Sequence, residues 1–365
     1  MDSNVHHIEL TPTEAEPMIH WLITRKKPFM LHGSPSTAKS FLMRKVTDSL
    51  DYLLTDCRLT QYDSVDLRGL PDLPVKPEGC VTNEAVRAWV QDARVTWVAP
   101  EIMPHESDPP GCLFLDELPN ASNDVQAASY QLVLDRALGM YKLPDHWSVA
   151  AAGNYRTDLA LVNQMASALK NRFYHLHLRV DMKDYGPIAQ AAGVHPMIIG
   201  YLRFKPSMLH VFMNGEDETA RQYIKNSDAF HTTRTWEMAS DVLNDFGVER
   251  FAECFPLIAG SVGLQAATEL QGFVKYYSQL PDIDDLIENP GKYQVPELMQ
   301  TRYALSAALS QRTTPENFEN VLKFVARMPS ELQGAFIADC LRRDDAFADH
   351  EAFAAWTVKN SHNLF

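Results

Sequence analysis

Gly33-Ser34-Pro35-Ser36-Thr37-Ala38-Lys39-Ser40 is the stretch from which the fold of this chain can be read. It follows a short apolar run, Pro28 to Leu31. It opens Lys39 to Leu50, where Leu42, Val46 and Leu50 recur at helical spacing. A G-x-x-x-x-G-K-[ST] loop between a strand and a helix binds nucleotide phosphates. Its backbone N–H groups and the positive end of the helix attract the anion. Lys39 would reach the β- and γ-phosphates, and the Ser40 hydroxyl would ligate Mg²⁺. The nucleotide-binding stretch is expected to run from Gly33 through Phe41. Ala38 stands where the second glycine is usual. It fits easily if residue 38 already belongs to the first helical turn, and it costs energy if the site needs a positive φ.

A second motif points to the same chemistry. Cys112-Leu113-Phe114-Leu115-Asp116-Glu117 is an apolar run ending in two acids. As a strand it lifts the pair to the carboxyl edge of a sheet, where ligands of open α/β folds bind. Asp116 would hold Mg²⁺ directly or through water, and Glu117 would act as general base on the attacking water. Ala150-Ala151-Ala152-Gly153-Asn154 is another buried strand ending in an amide, which would position that water. Arg172, in Asn171-Arg172-Phe173, sits on a turn after an expected helix, Leu161 to Leu169. It suits an arginine finger reaching a neighbouring subunit's nucleotide. Arg234, in Thr232-Thr233-Arg234-Thr235-Trp236, starts a helix in the second half and would reach the phosphates from a lid. For either arginine alone, a surface salt bridge is the commoner role.

Around these motifs the first half alternates apolar runs and helical stretches. Tyr52 to Leu59, Trp147 to Ala152 and Phe173 to Leu178 read as strands, and Val125 to Leu138 as a helix. Strands alternating with helices imply a parallel sheet with crossovers. After about Asp181 the strand-like runs stop. Met182 to Phe204, Thr235 to Phe246, Phe251 to Leu257, Val262 to Tyr277, Glu297 to Leu309 and Pro315 to Arg342 read as helices. Asp282 to Pro296, rich in Pro, Asp and Gly, reads as a linker. The expected organisation is a nucleotide-binding core over 1–181, a helical lid over 182–281 and a helical extension over 282–365. Asp63 to Pro104, with five prolines and one helix near Asn83 to Ala93, is a long connection of the kind that carries function or an inserted element.

Composition bounds the rest. The 365 residues are 45% hydrophobic and 22% charged, as in a folded globular chain and not a disordered one. Lys plus Arg number 33 against 47 Asp plus Glu, a net charge of −14 that counts against a large nucleic-acid footprint. No apolar run is long enough for a membrane span. Met1 to Leu10 lacks the pattern of a signal peptide, so the cytoplasm is the expected compartment. Five scattered cysteines form no C-x-x-C pair and read as reduced, mostly buried thiols. His175 and His177 share one face of a strand, but without an evident third ligand they read as ordinary strand histidines. His6-His7 reads as a terminal pair with no partner evident in the sequence.

With these residues in order, the chain resembles the AAA+ ATPases, and within them the MoxR-like group of the helix-2-insert clade. The likeness runs from about Glu14 to Tyr277. It rests on the Walker A-like loop Gly33–Ser40, the Walker B-like Asp116-Glu117, the sensor 1-like Asn154, the finger-like Arg172 and the sensor 2-like Arg234. Asp66-Leu67-Arg68-Gly69-Leu70-Pro71 is similar to a D-L-x-G stretch of that group. The long segment after it looks like the helix-2 insert, and Leu138 to Leu143 like the hairpin before sensor 1. The resemblance implies an α/β P-loop NTPase core, a parallel sheet flanked by helices, followed by an all-α lid. It also implies ATP and Mg²⁺ as cofactors and a homo-oligomeric ring, commonly a hexamer. Hydrolysis would drive remodelling or activation of a protein client, often with a partner carrying a von Willebrand factor A domain. Ser36 and Ala38 replace the usual loop glycines, and Thr233 replaces a common proline. Two other readings stay open. One is a nucleic-acid motor or loader, for which Arg68, Lys76, Arg87 and Arg94 are the available cations. The other is a nucleotide-binding interaction protein with weak or no hydrolysis, motivated by Ala38.

Overall fold

Side chains alternate across a pleated strand, and here both faces of the sheet are covered. In Gly111–Asp116 every residue is buried. Cys112 and Phe114 pack on one face with Phe29, Leu31, Ala150 and Ala152. Leu113 and Leu115 pack on the other with Met30, Val149 and Ala151. A sheet buried on both sides needs apolar runs without polar alternation, which is how these strands read in the sequence.

A computed structural model of the chain describes residues 7–78, 80, 82–155, 165, 167–212 and 218–360. Among them the strands are β1 (Glu9–Leu10), β2 (Phe29–His32), β3 (Leu53–Arg58), β4 (Leu70–Asp72), β5 (Thr96–Val98), β6 (Gly111–Asp116), β7 (Ala137–Leu138), β8 (Tyr141–Lys142), β9 (Trp147–Gly153) and β10 (Tyr174–Leu178). Six of them form one sheet in the order β1-β10-β2-β9-β6-β3. Every neighbouring pair in it is parallel. The first-half helices are α1 (Pro12–Thr24), α2 (Lys39–Ser49), α3 (Ser64–Arg68), α4 (Asn83–Asp92), α5 (Asn123–Asp135) and α6 (Ser167–Lys170). Ala15, Ile19 and Ile23 of α1 and Leu42, Met43 and Val46 of α2 cover one face. Val125, Ala128 and Leu132 of α5 cover the other. This is a three-layer α/β architecture, the parallel sheet flanked by helices that the sequence led one to expect. Because β2, β9 and β6 are adjacent, the residues that follow them share one carboxyl edge.

Several local outcomes differ from the sequence reading. Helix α5 stops at Asp135, three residues short of the expected Leu138, because Arg136 turns left-handed (φ 52°) and starts the β7–β8 ribbon. The expected helix Leu161–Leu169 lies mostly outside the described residues, as does His6; Ser167–Lys170 is helical. Within 63–104 the helix α4 forms as expected. Strands β4 and β5 pair antiparallel as a ribbon whose six residues are all exposed.

The chain divides into two compact units, residues 1–179 and 180–365. Among the described residues the second is entirely helical: α7 (Met182–Ala191), α8 (Pro196–Phe204), α9 (Glu218–Asn226), α10 (Thr233–Phe246), α11 (Phe251–Val262), α12 (Leu264–Tyr277), α13 (Ile283–Glu288), α14 (Met299–Arg312), α15 (Phe318–Val325), α16 (Ser330–Arg343) and α17 (Glu351–Asn360). The ranges 182–281 and 282–365 both fall in this one unit. Ala304 and Ala307 of α14 join the core built by α8, α10, α11 and α12. Arg203 of α8 forms a buried ion pair with Asp339 of α16. Asp282 to Pro296 is not a free linker. It contains α13, capped by the Asp282 side chain, and Leu286 is fully buried against α14 and α15 residues. All five cysteines are free, and four are buried. No helix of the described residues is long and apolar enough to cross a membrane.

Candidate nucleotide site

The loop after β2 is built by its own side chains. A Cβ on Gly33 would lie 2.5 Å from the Thr37 hydroxyl, so any larger residue there would have to displace it. The Thr37 hydroxyl donates 2.9 Å to the carbonyl of Ser34 and closes the turn. Ser36 and Ala38 both adopt left-handed backbone, with φ of 64° and 63°. Ala38 is therefore outside the first helical turn, and the site does require a positive φ. Each such residue carries a steric cost of about 1–2 kcal/mol that glycine avoids.

The ammonium of Lys39 donates to the Gly33 carbonyl at 2.7 Å, the Ser34 carbonyl at 3.0 Å and Asn154 Oδ1 at 2.9 Å. It thereby ties the start of α2 to the end of β9. The Ser40 hydroxyl donates 3.4 Å to Asp116 Oδ2, tying α2 to the end of β6. Lys39, Ser40, Asp116 and Asn154, predicted from three separate motifs, share one strand edge at the mouth of the loop. Phe41 is exposed beside them.

Asp116 is buried, and its Oδ1 accepts 2.9 Å from the Glu117 backbone N–H. Burial raises its carboxyl above the usual range, and the backbone N–H opposes that. The neighbouring charge of Asp56 raises it further. Glu117 is also left-handed (φ 58°), which turns its side chain away from the strand line. There the Thr60 hydroxyl donates 2.7 Å to Glu117 Oε2. Thr60 follows the edge strand β3 and belongs to no sequence motif, so the sequence carried no signal for this contact.

The donor set fits a hard dication. A hydroxyl and a carboxylate already touch, and oxygen donors with retained waters are what Mg²⁺ takes. Among the described residues no three His, Cys, Asp or Glu side chains converge closely enough to enclose a metal unaided.

The arginines are placed differently. Arg172 precedes β10, at the amino edge of the sheet, while the Gly33 loop follows the paired strand β2 at the carboxyl edge. Its guanidinium lies 6.0 Å from the Tyr130 ring centroid. It is thus not brought to the loop of its own chain. Arg234 is exposed in the first turn of α10, near Glu237, in the second unit.

His175 and His177 do share a face, and His32 is the neighbour the sequence reading missed. His32 and His175 share a 2.7 Å hydrogen bond between ring nitrogens. His7, His177 and His32 stack at centroid spacings of 3.9 and 4.7 Å. Burial holds His32 down to about 3 and His177 to about 4, with the neighbouring histidine charges adding to the effect. This column is aromatic packing beside Gly33.

No protein-family model matches the sequence, and no curated protein matches it. The chain is similar in structure to a candidate ATPase from Cytophaga hutchinsonii, with 12% identity and a TM-score of 0.36 over 96% of this chain and 90% of that one. It is also similar to NtrX from Brucella abortus, with 12% identity and a TM-score of 0.33 over 73% of this chain and 68% of that one. Both superpositions are loose, and the functional reading rests on the geometry at the strand edge.

Proposed function

We propose that this chain is a magnesium-dependent ATP hydrolase of the AAA+ type, similar to the MoxR-like group, which uses the nucleotide cycle to remodel or activate a protein client. The observation that carries the reading is the convergence of Lys39, Ser40, Asp116 and Asn154 on the loop after β2. Backbone N–H groups of Ser34–Ser40 and the start of α2 hold the phosphates. Lys39 exchanges its loop carbonyls for the β- and γ-phosphate oxygens, and Ser40 with Asp116 would hold a magnesium ion. Bound there, it would supply charge neutralisation on the phosphates. Asn154 orients the attacking water. Glu117 takes its proton as the water oxygen bonds to the γ-phosphorus and the bond to the bridging oxygen breaks, releasing ADP and phosphate.

Arg172 is assigned to a neighbouring subunit's nucleotide. The amino-edge position of Arg172 and the carboxyl-edge position of the loop favour a head-to-tail contact, which closes to a ring if the rotation permits. A hexamer is the expected size by resemblance, with Arg234 of the helical unit sensing the phosphates. A protein client fits the net charge of −14 better than a nucleic acid does. A von Willebrand factor A-domain protein is the partner to test first.

Steady-state ATPase assays test the reading. Lys39→Ala and Glu117→Gln are both expected to abolish Mg²⁺-dependent turnover, with Glu117→Gln still binding ATP. Turnover that survives Glu117→Gln overturns it.

A further inference from the structure

Asp56 lies on the edge strand β3, two residues before Arg58, which pairs with Asp116. Two residues apart on a strand means the same face. Asp56 pairs with Phe114, and Phe114 packs with Leu42, Met43 and Val46 of α2. Asp56 therefore stands on the α2 face, the side from which Ser40 meets Asp116. The strand places a second carboxylate diagonally beside the first.

That carboxylate is poorly used by the protein. Oδ1 of Asp56 is buried, and no donor among the described residues reaches it. Oδ2 has Arg44 at 3.8 Å, but that side chain is 65% exposed and contributes little. A buried carboxylate oxygen without a donor is costly, and a second carboxylate beside it adds repulsion. A hydrated dication would offset the repulsion, and its waters would give the carboxylate donors once it turns about its Cβ–Cγ bond. Mg²⁺ keeps several waters and takes few direct protein ligands, so a nearby carboxylate that does not touch the metal accepts from those waters.

We propose that Asp56 is the outer-shell carboxylate of the magnesium site, accepting a hydrogen bond from a water on the cation that Ser40 and Asp116 hold. The assignment rests on the ATP reading above. It makes Asp56 a positioning residue for the metal, with no contact to the reacting atoms.

The test reads metal affinity without turnover. Mn²⁺ is titrated into the full chain saturated with ADP, and free Mn²⁺ is followed by its paramagnetic resonance signal. ADP affinity in EDTA is measured alongside. Asp56→Asn should weaken Mn²⁺ binding about 10- to 100-fold, as loss of an outer-shell partner does, with ADP affinity in EDTA unchanged. Asp56→Ser is the second variant if the amide disturbs the strand edge, and the same loss is expected. Arg44→Gln should not weaken Mn²⁺ binding, since Arg44 is not the reason Asp56 is there. Mn²⁺ affinity of Asp56→Asn within about threefold of wild type overturns the proposal, as does an equal loss in Arg44→Gln. A wild-type chain that binds no ADP overturns the ATP reading instead.

Discussion

The hydroxyl of Thr60 donates a 2.7 Å hydrogen bond to Oε2 of Glu117, so the carboxylate assigned as general base is already engaged by a neutral donor from the end of β3. The bond fixes where the carboxylate points and must be given up before that oxygen can accept from water. Releasing it should free Glu117 for water. Thr60→Val removes the donor and keeps the side-chain shape. A hydrogen bond to a charged group is worth about 1.5–3 kcal/mol, so basal ATPase should rise by roughly tenfold to 100-fold. ATP affinity should not change. A fall in turnover would mean that Thr60 aims Glu117 productively.

The strained loop gives a second expectation. Ser36 and Ala38 occupy left-handed backbone that glycine adopts without steric cost. Ser36→Gly and Ala38→Gly should each stabilise the chain by up to about 1 kcal/mol, after the entropy glycine adds to the unfolded state. Differential scanning calorimetry should show a midpoint higher by about 2–4 °C for each. A lower midpoint would mean that the Ala38 methyl or Ser36 hydroxyl makes a contact worth more than the strain.

Acid sensitivity follows from the histidine column. His32 and His177 are held at about 3 and about 4, below the ordinary 6.5, chiefly by burial. Between pH 6.5 and those values the unfolded chain binds protons that the folded chain does not. Stability from these groups is therefore complete above pH 6.5 and is lost as pH falls through the folded values. His32→Asn should flatten the dependence of urea unfolding on pH between 6 and 4. An unchanged slope would show that other groups govern the acid limb.

The helical half should melt as one piece. Arg203 and Asp339 pair while almost fully buried, joining α8 to α16 across the stretch read as a linker. Removing one partner of a buried pair strands the other charge and costs about 3–5 kcal/mol. Asp339→Ala should destabilise residues 182–281 and 282–365 together in hydrogen exchange. Protection lost only after residue 282 would separate them.

Much of the first half was legible because a doubly buried parallel strand must be an apolar run, and phosphate loops need small residues before a Lys-Ser pair. Gly33–Ser40, Asp116-Glu117 and Asn154 are local signatures, and the strand order places them on one edge. Thr60, Asp56 and His32 carry no such signature. Each matters through a neighbour distant in sequence: Glu117, Asp116 and His175. Asp282–Pro296 misled for a related reason. Its Pro and Gly content is that of a loop, yet Leu286 and Ile287 are enough to pin α13 against α14 and α15. The end of α5 was misjudged because helical spacing continues through Arg136, and only the left-handed turn there reveals the β7–β8 ribbon.

The central claim is that a triphosphate lies against the Gly33 loop with Lys39 on its phosphates. Calorimetric titration of Mg-ATP into the wild-type chain and Lys39→Ala measures this directly. The expected result is saturable binding by the wild type, weakened about 10- to 100-fold in the variant, the worth of one charged hydrogen-bonding group. A flat wild-type titration at millimolar Mg-ATP, or equal affinity in the two proteins, would contradict the account.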